Sequence, residues 1–140
     1  LLEHRKLEEE IARRDFYEAQ NNLDEQKAIY KELYTRLHEI EKESSQMQAA
    51  PIIPIEELRE RDEFMIGQKI KIQRQRDLVI NFTTIAEGKQ EILINAAKER
   101  KILDKLKEKQ KLEFKKALAK KEAKQTDEVI VTRFRAGGRL

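Results

Sequence analysis

The sequence predicts an all-α fold, an antiparallel two-helix coiled-coil hairpin with a longer second helix, spanning residues 1–140 as a single domain. Three observations carry that prediction. The only prolines, Pro51 and Pro54, sit together in Ala49-Ala50-Pro51-Ile52-Ile53-Pro54. The apolar residues ahead of them recur every seven positions. Charged residues make up 41% of the chain and aromatics 6%, with no tryptophan or cysteine, which is the composition of long helices rather than of a globular domain. Disorder competes for so charged a chain, but the net charge is only +3 and the apolar residues are periodic. A hairpin buries one stripe per helix and no three-dimensional core, so modest stability, completed by a partner, is expected.

The first helix is expected over about residues 2–48. From Phe16 its seam positions are Phe16, Leu23, Tyr30 and Leu37, alternating with Ala19, Gln26, Leu33, Ile40 and Met47. This is a coiled-coil seam with one polar defect, Gln26. Leu7 and Ile11 fall out of phase with it, which predicts a stutter near Ala12–Phe16. Glu9–Arg13, Glu10–Arg14 and Glu32–Arg36 are i,i+4 pairs in the favourable order, each contributing about 0.3 kcal/mol. Ser44-Ser45-Gln46 weakens the helix, with the serines expected in the turn, and Pro51 ends it by excluding its predecessor from the helical region.

The turn covers residues 49–54. Pro54 suits the first turn of the next helix, where a missing N–H costs nothing, and Glu56 and Glu57 favour a helix N-terminus. The second helix is expected over about residues 55–132, followed by a flexible tail over 133–140. Its apolar residues run Leu58, Met65, Ile66, Ile70, Ile72, Val79 and Ile80, then Phe82, Ile85, Ile92, Ala96, Leu103 and Leu106. Gly67 and Gly88 each cost about 1 kcal/mol against alanine, and Asn81-Phe82-Thr83-Thr84 is where an irregularity is expected. Pairing outward from the turn places Leu2 beside residue 101, which leaves the rest of the second helix without a partner in the chain.

Charge divides in the same way. Residues 1–50 hold 8 Lys/Arg against 12 Asp/Glu, and residues 51–140 hold 22 against 15. The lysines from Lys105 to Lys124 form the strongest basic run, a solvated face or a surface for acidic partners and phosphates.

Residues suited to chemistry are few. The glycines lie in no strand–loop–helix setting. His4 and His38 lack a cysteine or second histidine at ligand spacing, and no pocket is predicted to shift the many carboxylates. The expectation is no enzyme, no cofactor and no metal. No segment approaches the roughly 20 apolar residues of a membrane span, and no signal peptide is visible. The chain opens on Leu1 rather than Met, so a few further starting residues are expected. The lack of cysteine leaves the compartment open, and cytoplasm is expected. Phe16 and Tyr30 read as seam residues; Tyr34 and Phe64, beside the seam, are candidate anchors.

The opening Leu1-Leu2-Glu3-His4-Arg5-Lys6-Leu7-Glu8-Glu9 with Ala12 and Ala19 resembles the FliJ family, coiled-coil proteins of the flagellar type III export apparatus. Glu99-Arg100-Lys101-Ile102-Leu103-Asp104-Lys105-Leu106-Lys107-Glu108-Lys109 also resembles it, as do Phe114, Glu122, Gln125 and Asp127-Glu128 ahead of Arg133-Phe134. The resemblance covers most of the chain, apart from the turn and the middle of the second helix. It implies a stalk that hydrolyses nothing itself. The end carrying both termini enters the hexameric export ATPase, FliI, and activates it. The rest engages the cytoplasmic domain of the export gate, FlhA, and export chaperones, in the cytoplasm against the inner membrane.

On that resemblance Lys105, Lys109, Lys116, Arg133 and Phe134 are the candidates for the ATPase end, and Phe64, Gln68 and Lys71 for the gate. Two other readings fit the same residues. A self-associating scaffold would use the seam between copies. A nucleic-acid binder would use the Lys105–Lys124 face, but Glu108, Glu113 and Glu122 interrupt it and no aromatics are interleaved for stacking, so no nucleic acid is expected.

Overall fold

The computed structural model describes residues 1–137. It consists of α1 (Leu2–Gln48, 47 residues) and α2 (Ile55–Gly137, 83 residues). At about 1.5 Å per residue they are about 70 Å and about 125 Å long. They pack antiparallel along one seam: Gln68 reaches Leu33, Gln75 reaches Gln26, and Arg100 reaches Glu9. Leu2 therefore ends close to residue 101, as pairing outward from the turn predicts, and Arg5 bonds Glu99 near that level.

The seam of α1 is more regular than its apolar residues alone suggest. Buried and half-buried side chains follow one another at alternating steps of three and four from Leu2 through Arg5, Glu9, Ala12 and Phe16 to Ser44 and Met47, the spacing of coiled-coil contacts. The stutter expected near Ala12–Phe16 is absent. Leu7 and Ile11 are out of phase because they are exposed, and the charged Arg5 and Glu9 occupy the seam in their place. Glu9 is only 6% exposed. Its carboxylate is satisfied by the Arg100 guanidinium across the seam and by Arg13 one turn on, at 3.1 Å. Burial of a carboxylate is tolerable only with such partners.

The seam of α2 keeps the same alternation from Leu58 through Met65, Gln68, Ile72, Gln75, Val79, Phe82 and Ala86 to Leu93, Ala96, Arg100 and Leu103. Gln68 and Gln75 are among its most buried residues, at 5% and 7% exposed. Their amides bond inward, Gln68 Nε2 to the Leu33 carbonyl at 3.1 Å and Gln75 Nε2 to the Gln26 carbonyl and Oε1 at 3.0 and 2.7 Å. Ile66, Ile70, Ile80, Ile85, Ile92 and Leu106, which belong to the apolar pattern of the sequence, lie outside the seam and are exposed. A buried apolar cluster joins Ala19, Leu23 and Ala86, with Val79 and Phe82 packed against it. Small residues at its centre let the two backbones approach.

Local details also depart from expectation. α1 continues through Ser44 and Ser45 to Gln48, so neither serine is a turn residue, and Ser44 is buried in the seam. Ala49 and Ala50 close the helix end, donating to the Ser45 and Met47 carbonyls at 3.3 and 3.2 Å. Pro54 sits one residue ahead of α2, and its carbonyl accepts the Leu58 N–H at 3.0 Å. The helix runs unbroken through Thr83 and Thr84, whose hydroxyls donate to the Val79 and Ile80 carbonyls one turn back. It also runs past Thr132 to Gly137; the remainder of the expected tail, 138–140, lies outside the described residues. Of the three expected i,i+4 pairs, Glu9–Arg13 forms, while Arg36 turns to Glu39 and Arg14 to Asp15.

Gly67 and Gly88 are helical, no described residue has a positive φ outside glycine or at one, and a Cβ at either glycine would meet nothing within 4 Å. Nothing within the hairpin requires glycine at these positions. Gly67→Ala and Gly88→Ala are each expected to raise stability by about 0.5–1 kcal/mol, measured by urea unfolding followed by circular dichroism. A loss of stability in either variant would contradict the open surroundings of that position.

Candidate partner-binding surfaces

Three stretches of surface depart from a merely solvated coiled coil. The first is the part of α2 beyond the pairing with α1. Every residue from Lys105 to Gly137 is exposed, about 50 Å of single helix. It holds eleven Lys/Arg against five Asp/Glu. Lys105, Lys109, Lys116 and Phe134 fall on one side of it at 3.6 residues per turn, and Arg133 is adjacent. The same side contains Leu112, Ala119, Ala123 and Ile130, all exposed. The basic candidates therefore border an apolar line. The sequence signal for that line was available in the steps of seven and four between its members, but the seven-residue repeat of the paired region obscures it.

Where the free helix begins, charges interlock. Arg100 donates from Nε to Glu9 and from a terminal nitrogen to Asp104 at 2.7 Å. The bond to Glu9 outweighs desolvation and, with Asp104 adding to it, holds the guanidinium above its ordinary value. Arginine is charged at any physiological pH regardless, so Arg100 offers no pH switch. Arg5 adds bonds to Glu8 and Glu99, which finishes the paired region with a charged clasp.

The second stretch flanks the seam on α2. Phe64, Lys71, Leu78, Ile85 and Ile92 recur every seven residues, each immediately before a seam residue, and all are exposed. Phe64 is 43% exposed, with the Arg36 guanidinium 5.9 Å from its ring centroid. Gln68 does not join Phe64 and Lys71 on this flank: its side chain is turned into the seam and bonded to Leu33. Exposed Tyr34 packs between Tyr30 and His38, at centroid distances of 5.5 and 5.3 Å. It follows a seam residue where Phe64 precedes one, so the two rings border opposite sides of the seam. His4 and His38 are exposed beside Glu8 and Glu41. The third stretch is the turn itself, where Ile52, Ile53 and Ile55 are exposed.

The family model for the flagellar FliJ protein matches residues 1–139. The chain belongs to the FliJ family. That makes it a component of flagellar type III export, in a family that is not catalytic. No curated protein and no solved structure matches this FliJ chain. No helix among its described residues is long and apolar enough to cross a membrane.

The gate candidates Phe64 and Gln68 separate by burial. Gln68→Ala would remove the hydrogen bond that crosses the seam to Leu33 and leave a gap in its place, so it is expected to lower stability by about 1–2 kcal/mol. Phe64→Ala is expected to cost less than about 1 kcal/mol, because its ring covers little of the seam. Urea midpoints of the two variants check the order, and equal losses would contradict the placement of Gln68.

Proposed function

We propose that this chain is a central-stalk-like coiled coil that binds and activates the hexameric export ATPase and links it to the export gate and chaperones. One observation supports this reading above the rest. Beyond Asp104 the second helix continues for about 50 Å with every described residue exposed, basic overall, and with a line of apolar side chains along one side. A lone helix with such a face is incomplete, and a surrounding ring of acidic and apolar surfaces would complete it. Lys105, Lys109, Lys116, Arg133 and Phe134 form the ATPase end. The gate's cytoplasmic domain meets the flank of Phe64 and Lys71, extended by Leu78; Gln68 supports it from within the seam. The protein works in the cytoplasm and reaches the inner membrane through its partners.

Titration into the purified export ATPase of the same organism, following ATP hydrolysis and ring assembly together, tests the stalk. Stimulation is expected to saturate near one chain per ring. The Lys105→Gln/Lys109→Gln/Lys116→Gln variant is expected to bind about tenfold more weakly and to lose most of the salt dependence of binding. Unchanged affinity and salt dependence would remove this face from the interface.

Gate docking is tested separately by calorimetry with the gate's cytoplasmic domain. Phe64→Ala is expected to weaken binding about fivefold or more, as loss of a partly exposed aromatic anchor does. Parental affinity would move docking off this flank.

A further inference from the structure

The turn has a surface that neither the fold nor the proposed contacts require. Ile52 is 85% exposed and Ile55 73%, with Ile53 half exposed between two prolines. A plain helix–helix turn takes polar or glycine residues. Here the backbone needs no glycine, since no described residue outside glycine has positive φ. Pro51 and Pro54 restrict the segment that presents the isoleucines. Exposed apolar side chains held in this way lose little freedom on binding, which favours affinity.

The helix ends that lead into and out of the turn are acidic, and together form a collar of negative charge below it. Residues 39–63 hold eight Asp/Glu and three Lys/Arg. Glu56 and Glu57 favour the start of α2, so folding accounts for them. Glu39, Glu41 and Glu43 approach the C-terminal end of α1, where a helix prefers cations and where no basic residue stands in the last turn. Arg36 and Arg61 pair with Glu39 and Glu43 and offset part of this charge, but the excess around the turn remains negative. The opposite end of the rod is basic.

The geometry points to the turn as a second docking end, whose isoleucines enter an apolar pocket rimmed by lysine or arginine on a partner protein. Charge complementarity selects that occupant. Two copies meeting turn to turn would oppose acidic collars. An anionic bilayer would repel the same collar while Ile52 and Ile53 approached it. The inference stands on the export-apparatus reading, and it is tested so that the two can fail apart.

The probes are the purified gate cytoplasmic domain, each export chaperone and the export ATPase, titrated with the parent chain, with Ile52→Ser/Ile53→Ser, and with Glu39→Gln/Glu41→Gln/Glu57→Gln/Glu60→Gln. Helix content by circular dichroism confirms that the variants fold. The expected result is one component whose binding weakens at least tenfold in the isoleucine variant and severalfold in the collar variant, with weaker salt dependence in the latter. ATPase stimulation by the basic end is expected to stay at the parental level in both. A photo-crosslinker at position 53 in flagellated cells should join that same component. Parental binding of every probe by the isoleucine variant overturns the inference, as does crosslinking to a second copy. Isoleucine-dependent co-sedimentation with phosphatidylglycerol vesicles, without loss of protein binding, would assign the turn to the membrane and also overturn it. Loss of ATPase stimulation by the parent chain would instead refute the stalk reading.

Discussion

Everything in this molecule depends on one interface. A two-helix hairpin has no second layer to correct an error of alignment, so the seam between α1 and α2 must set both stability and register. Apolar packing alone specifies register poorly, because a slip of seven residues replaces one apolar pair with another. Among the buried polar groups, the Glu9–Arg100 pair removes that degeneracy. Gln75 meets Gln26, Gln68 meets the Leu33 carbonyl, and Glu9 meets Arg100. A slip of seven would set Gln68 opposite Gln26 or Gln75 opposite Leu33, where a carbonyl is again offered, but it would take Arg100 from Glu9 and set it opposite Leu2 or Phe16, and breaking a buried ion pair costs about 3–5 kcal/mol. The seam gives up some apolar burial for this, the usual exchange at polar coiled-coil positions.

Register in turn decides what is left outside. With α1 closed by the turn at Ala49–Pro54, pairing ends near Arg5, Glu99 and Arg100, and the whole basic stretch of α2 projects beyond it. The phase of the repeat, through Met65, Val79, Ala86 and Leu93, leaves Phe64, Leu78, Ile85 and Ile92 at the edge of the seam rather than in it. The projecting basic end is therefore a consequence of where the Glu9–Arg100 pair sits, and the α2 flank a consequence of the phase of the repeat.

The hairpin was legible in the sequence because its signals are local: two prolines three residues apart, and a seven-residue repeat from Phe16 to Met47. The second helix was harder to read. Ile66, Ile70, Ile80 and Ile85 look like seam residues by hydrophobicity, whereas Gln68 and Gln75 look like surface. The structure reverses them, because strict alternation of three and four from Leu58 passes through the glutamines and misses the isoleucines. The same preference for apolar residues suggested a stutter at Ala12–Phe16, where the repeat in fact continues through Glu9 and Arg5. Position in the repeat outweighed residue type in both places. The exposed end was legible from helix lengths and charge counts. The inward turn of Gln68 was not, since i,i+4 spacing beside Phe64 places a residue near that face without fixing which side of the seam its side chain takes.

Continuity of the second helix gives the rod its mechanical sense. From Ile55 to Gly137 there is no break; the threonines at 83 and 84 bond back into the helix, and the two glycines remain helical. A partner held at the turn and another held on the basic end are therefore joined by one uninterrupted helix of about 125 Å, stiffened by α1 over its first half and single over the rest. Rotation or displacement at one end is transmitted through the paired part as through a rigid body. The unpaired part bends more easily, since long helices curve and only side-chain packing against a neighbour resists it. A surrounding ring would supply that packing. On the stalk reading proposed above, the stiff half would act as the lever, and the free half would stiffen only when engaged.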